Sequence, residues 1–201
     1  MIETIPLILG ADVIEMLIPH KRPFLFVDGV TQYTRSRQSQ LRCFKMISAN
    51  EQVFDGHFPG LKLWPGVYTI EGMGQATALL MVISGCQDGF EKAGRDPNEV
   101  IAGLQDLQRI RTLKPGGQIS SAKTVLDVLE DPESQFGFSA AVNVKLFKPV
   151  LAGCRLDFIV TLERTIGDMA KFSVEAEVDG QLVASGTMTN AMHQVTRELL
   201  S

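Results

Sequence analysis

The amino-acid sequence predicts an α+β fold in which an antiparallel sheet wraps round one long helix. Residues 67–84 carry apolar side chains at helical spacing with few charges, after a Pro65-Gly66 start. Elsewhere 18 glycines and 9 prolines divide the chain into short apolar runs of strand length. With 201 residues, 45% of them hydrophobic, there is enough material for one well-filled core and too little for two, so 1–201 reads as a single domain.

In chain order, residues 11–18 set Asp12 and Glu15 among Val13, Ile14, Leu17 and Ile18, a short amphipathic helix that Pro19 ends. Residues 24–34 and 40–47 read as a strand pair round the polar turn 35–39. Residues 51–55 lead into a turn at His57, and the long helix follows. Beyond it, 85–98 is polar and glycine-bearing, a loop or frayed helix end. Near the C terminus, Asp179-Gly180 between alternating apolar runs is a hairpin signal. His193 falls in the solvated tail.

Charge and cysteine usage exclude several function classes. A net charge of −4 and a pI near 5.4 argue against general nucleic-acid binding. The balance is nevertheless uneven: Lys21, Arg22, Arg35, Arg37, Arg42 and Lys45 face a single acid, Asp28, between His20 and Ser48. Such a patch either steers an acidic partner or is the solvated face of a strand pair. Cys43, Cys86 and Cys154 form no Cys-x-x-Cys, so neither a disulfide framework nor a zinc site is indicated, and a reducing cytosol fits. Residues 1–10 lack a basic region ahead of their apolar residues, and the apolar run 76–86 is too short to span a bilayer. The expectation is a soluble, cytoplasmic protein without a metal.

The chemistry concentrates in Gly56-His57-Phe58-Pro59-Gly60, Trp64-Pro65-Gly66-Val67 and Glu71-Gly72-Met73-Gly74-Gln75-Ala76. His57 sits on a tight turn between glycines and beside Pro59, and histidine as a residue type suits a base near neutral pH. Glu71 lies inside the apolar helix, where desolvation favours the protonated form that a general acid needs. The bland alternatives are a capped turn histidine and a glutamate facing solvent. Gly72 and Gly74 each cost about 1 kcal/mol relative to alanine, so something packs close to the helix there. Gly66 opens it, where unpaired N–H groups and the positive dipole end can polarise a carbonyl.

These residues resemble the (3R)-3-hydroxyacyl-[acyl carrier protein] dehydratases of type II fatty-acid synthesis, which have the hot-dog fold. The match is His57-Phe58-Pro59-Gly60, then Pro65-Gly66-Val67, then Glu71 with Gln75 one turn on. A second match is Pro19-His20-Lys21-Arg22-Pro23-Phe24-Leu25-Phe26-Val27-Asp28, like that family's Pro-His-Arg-Tyr-Pro-Phe-Leu-Leu-Val-Asp opening. Arg22 stands where tyrosine is usual and Gly29 where arginine often follows. His20 reads as structural. Trp64 stands where methionine is common, either a bulkier tunnel wall or a core plug. Glu71, where a related isomerising branch has aspartate, points to a plain dehydratase. Asp96-Pro97-Asn98 resembles part of the hydratase signature Asp-x-Asn-Pro-x-His, but no histidine follows and it is set aside.

The resemblance covers residues 17–83 well and 150–189 fairly, with 157–165, 169–178 and 181–192 similar to the family's closing strands. Both 100–117 and 142–156 resemble the single family strand that follows the helix, so 119–147 reads as an inserted hairpin, split near Asp131-Pro132-Glu133, adding about two strands. The resemblance implies loss of water from a 3-hydroxyacyl thioester to give the trans-2-enoyl thioester, in fatty-acid or polyketide and polyene synthesis. It gives His57 as base and Glu71 as acid, with Phe58, Trp64, Pro65, Gly66, Val67 and Gln75 at the substrate. It also implies a phosphopantetheine-borne substrate on acyl carrier protein, no cofactor, and a homodimer or higher oligomer, or else a heterodimer, in which the histidine of one subunit meets the glutamate of the other. The alternatives are a hot-dog acyl thioesterase and a non-catalytic carrier-protein-binding subunit.

Overall fold

The computed structural model describes residues 3–129 and 137–191 of the chain. Its elements run β1 (Glu3–Gly10), α1 (Ala11–Leu17), β2 (Gly29–Arg35), β3 (Gln40–Ile47), α2 (Gly66–Lys92), α3 (Asn98–Arg111), α4 (Ile119–Leu129), β4 (Phe138–Leu146), β5 (Cys154–Ile166), β6 (Met169–Val178) and β7 (Gln181–Ala191). The strands form a seven-stranded antiparallel sheet in the order β1-β2-β3-β5-β6-β7-β4. A single apolar core joins the sheet to α2.

The register follows from alternation. On β3, Leu41, Cys43, Lys45 and Ile47 turn inward while Arg42 and Met46 face out, as a period of two on a half-buried sheet requires. The β6–β7 turn places Asp179 and Gly180 at φ of 51° and 72°, the paired left-handed conformations of a tight hairpin. Helix α2 is 27 residues long and packs Gly72, Met73, Ala76, Leu79, Leu80 and Ile83 into the core. Gly72 lets it sit on the sheet: a Cβ there would lie 2.5 Å from the Phe158 ring of β5. Buried burden on both sides of this helix explains its near-continuous apolar sequence.

Three expectations change. Residues 3–10, not anticipated as a strand, form the edge strand β1, with Leu7 and Leu9 buried and Ile8 exposed. Residues 100–117 are not a strand leaving the helix; they begin in α3, because Val100, Ile101, Leu104 and Leu107 recur at helical spacing and all are buried. The stretch 119–147 is not an inserted hairpin either. It opens as α4, whose Ala122, Val125 and Leu129 face inward at intervals of three and four, and closes as β4, which pairs with β7. The expected split near Asp131-Pro132-Glu133 lies outside the described residues, as does His193. The addition to the α+β core is therefore a helix pair, α3 and α4, tied to β1 by Gln105 Nε2 to the Pro6 carbonyl at 3.1 Å and by Gly10 N–H to Gln108 Oε1 at 2.7 Å.

Strand β4 ends the sheet, and eight of its nine residues are exposed, among them Phe138, Val142 and Leu146. Among the described residues no helix is long and apolar enough to cross a membrane, and no cluster of three or more His, Cys, Asp or Glu is placed to hold a metal.

Candidate active site

His57 follows a 3-10 turn (Gln52–Asp55) that ends at Gly56. Its backbone N–H donates to the Val53 carbonyl at 2.9 Å, and the loop beyond is closed by reciprocal backbone bonds between Phe58 and Leu61 at 2.8 and 2.9 Å. The ring is fixed as well: Nδ1 lies 2.8 Å from the Leu63 carbonyl, and Phe58 stacks on it at 4.1 Å between centroids. A carbonyl only accepts, so Nδ1 carries the hydrogen and Nε2 of the neutral ring keeps a free lone pair. That is the geometry of a base oriented by its other nitrogen.

Glu71 lies on the second turn of α2. Its Oε1 accepts from Gln75 Nε2 at 3.0 Å and lies 3.4 Å from His20 Nε2. Gln75 is fully buried and ties the helix to the preceding segment, donating to the Phe24 carbonyl at 2.9 Å and accepting the Phe26 N–H at 2.7 Å. His20 is held below its ordinary basicity by burial, an effect that Glu71 partly offsets.

Glu71 and His20 stand in the wall of a cavity of about 730 Å³ that follows α2 past Gly74, Ala78, Met81 and Val82 to Phe90 and Ala93, with Val128 of α4 and Phe138 of β4 on the opposite side. This size suits a small-molecule site. Cys86 lines it with a thiol pushed up to about 11 by burial, which makes it a poor nucleophile. Ser139 and Asn190 supply polar atoms, Asn190 donating to Thr77 Oγ1 at 2.7 Å.

At the start of α2, Tyr68 and Thr69 N–H reach the Pro65 carbonyl at 3.0 and 3.3 Å, while Gly66 and Val67 N–H have no partner among the described residues. Leu146 of β4 covers Gly66 so closely that a Cβ would lie 2.3 Å from its Cδ1. Trp64 takes the plug position: it is 3% exposed and packs edge-on against Phe26, Phe54 and Tyr68. Pro65 is buried beside it, whereas Phe58 and Val67 are exposed. The sequence-predicted residues thus fall into two groups. Glu71 and Gln75 are joined by a hydrogen bond; His57 and Phe58 lie on a turn that does not line the Glu71 cavity. His20, expected to be structural, faces the carboxylate.

The basic stretch is partly spent internally. Arg35 pairs with Asp88 and Glu91, Lys45 with Asp28 and Glu51, and Lys21 donates to the carbonyls of Glu15 and Ile18. Arg22, Arg37 and Arg42 are exposed.

Comparison with known proteins gives a consistent picture. Residues 18–118 match the family model of a FabA-like domain. The chain is 30% identical over 177 residues to the 3-hydroxyacyl-[acyl-carrier-protein] dehydratase FabZ of Erwinia tasmaniensis, covering 88% of this chain and 87% of the relative. It is likewise 30% identical over 172 residues to FabZ of Escherichia coli O9:H4, covering 86% and 85%. Among solved structures, the dehydratase heterocomplex ApeI:P from Xenorhabdus doucetiae superposes with a TM-score of 0.55 at 15% identity, covering 93% of this chain and 95% of that one.

Proposed function

The chain belongs to the FabA-like family, and from that premise we propose that it dehydrates (3R)-3-hydroxyacyl thioesters on acyl carrier protein, in fatty-acid or polyketide synthesis, with His57 as base and Glu71 as acid. The fold is the hot dog. The observation that carries the reading is the Glu71 carboxyl standing at the head of a long apolar cavity, on a helix whose start leaves the Gly66 N–H free.

In this mechanism the thioester carbonyl accepts the Gly66 N–H, which acidifies C2. His57 Nε2 takes the C2 proton, electrons shift to form the C2–C3 double bond, and Glu71 protonates the hydroxyl as it leaves C3 as water. The residues act without a metal or redox group.

His57 and Glu71 do not line one cavity within a protomer, so the site is completed by a second copy. Strand β4 supports this, since an exposed apolar sheet edge is a template for pairing and Leu146 links it to Gly66. The complete site sets the His57 of one protomer against the partner's Glu71. Acyl carrier protein presents the acyl chain on phosphopantetheine, with exposed Arg22, Arg37 and Arg42 as basic groups for an acidic carrier. The chain acts as a single domain, and its three free cysteines fit a cytoplasmic location.

The experiment follows enoyl absorbance and free thiol together when the purified protein meets a short 3-hydroxyacyl-carrier-protein thioester. Enoyl product without thiol is expected; thiol release would identify a thioesterase instead.

A further inference from the structure

Glu71 is not alone at the head of the cavity. His20 Nε2 stands 3.4 Å from its Oε1, and His20 Nδ1 is buried with no partner among the described residues. Gln75 cannot turn its amide round, because its oxygen is taken by the Phe26 N–H and one of its hydrogens by the Phe24 carbonyl. Its remaining hydrogen therefore goes to Glu71 Oε1. Gln75 and His20 both converge on Oε1, and Oε2 has no partner among the described residues.

We propose that His20 and Glu71 hold one proton between them, and that His20 is the positioning residue that keeps this proton beside Glu71 and replaces it after each turnover. The turnover part rests on the dehydratase reading; the shared proton does not.

The geometry favours this division of labour. The Nδ1–H of an imidazolium at position 20 is a buried charged donor without an acceptor, which costs more than the same N–H on the neutral ring left when Nε2 gives up its hydrogen. The charged ring is thus held poorly and hands its proton to the carboxyl at 3.4 Å. Burial works in the same direction on His20, as does Lys21 beside it in sequence, while Glu71 from α2 opposes them. Of the other residues lining the cavity, Gly137, Phe138 and Ser139 at β4 and Asn190 on β7 are neutral, and the remaining titratable groups are Cys86 of α2 and Arg95 beyond its end. A substrate that expels water from the cavity strengthens the preference for the neutral pair.

The step balances. After Glu71 has protonated the departing hydroxyl it is a carboxylate. His20, neutral at that point, takes a proton from solvent on Nε2; this Nε2–H bond then breaks and an Oε1–H bond forms, leaving a neutral imidazole and a neutral carboxyl as before. His57 releases to solvent the proton taken from C2, matching the one that His20 took up, so turnover neither consumes nor produces protons.

The test combines an NMR titration of the labelled imidazoles of the full chain, wild type and Glu71→Gln, with pH profiles of wild type and His20→Gln. Loss of the carboxylate should lower the His20 midpoint by roughly half a unit or more. In His20→Gln, which keeps a donor but cannot titrate, kcat should fall on the order of tenfold with little change in KM. Its alkaline limb should move to lower pH, because one site is left to hold the proton that two sites shared. A His20 midpoint unmoved by Glu71→Gln would overturn the shared proton. A His20→Gln profile superimposable on wild type would overturn the positioning role. If His20→Gln does not fold, the titration of the other two proteins still decides. If wild type does not dehydrate at all, the functional reading fails while the titration still tests the pair.

Discussion

Gln75 Nε2 lies 3.0 Å from Glu71 Oε1, one helical turn away, and the same buried amide clasps the backbone of Phe24 and Phe26. The orientation of the proposed acid is therefore coupled to the docking of the 18–28 segment onto α2. Replacing Gln75 with leucine keeps the volume but leaves a backbone N–H and a carbonyl unpaired inside the protein. The expected loss is about 3 kcal/mol in urea unfolding, accompanied by a fall in kcat.

The base and the acid should each be indispensable. His57→Ala and Glu71→Gln are expected to lower kcat on the order of 10²-fold or more, with the unfolding midpoint nearly unchanged. Steady-state kinetics on a 3-hydroxyacyl-carrier-protein thioester measures this, and near-normal turnover in either variant would remove that residue from the mechanism.

Two glycines of one helix should respond with opposite sign. At Gly72 a methyl group meets the Phe158 ring at 2.5 Å, so alanine should destabilise by about 1–2 kcal/mol despite its better helix propensity. At Gly85 a methyl group meets nothing within 4 Å, so alanine should stabilise by about 0.5–1 kcal/mol. Thermal or urea unfolding of both variants separates close packing from mere tolerance.

The β4 edge should carry the assembly. Val142→Lys and Leu146→Lys place charges on an exposed apolar strand without touching the buried core. Sedimentation velocity should show a shift toward monomer, with circular dichroism retained and activity lost together with the dimer. A dimer that survives both changes would move the interface elsewhere.

Much of the fold is legible in the residues themselves, and the failures have identifiable causes. Strand β3 is readable because Leu41, Cys43 and Ile47 alternate with polar or exposed positions, and the β6–β7 hairpin because Asp179-Gly180 demands left-handed backbone. Helix α3 was open to the same reading, since Val100, Leu104 and Leu107 keep helical spacing; expecting a family strand there set aside the periodicity that its own residues show. Strand β1 is masked by Pro6, which weakens a strand reading but is tolerated on a sheet edge. For the site, motif spacing places Gln75 one turn beyond Glu71, and the hydrogen bond follows. No spacing rule brings His20 to Glu71, because that proximity depends on how the segment ahead of β2 folds back over α2. The cavity is equally invisible in sequence, with walls drawn from α2, α4, β4 and β7.

The most direct test of the central claim mixes the two dead variants. If His57 of one protomer works with the partner's Glu71, a dimer of one His57→Ala chain and one Glu71→Gln chain contains one intact site. Co-refolded in equal amounts, the two should regain dehydratase activity to about a quarter of wild type, since half the dimers are mixed and each has one working site of two. Activity no greater than that of either variant alone, with mixed dimers demonstrably present, would contradict a site shared between subunits.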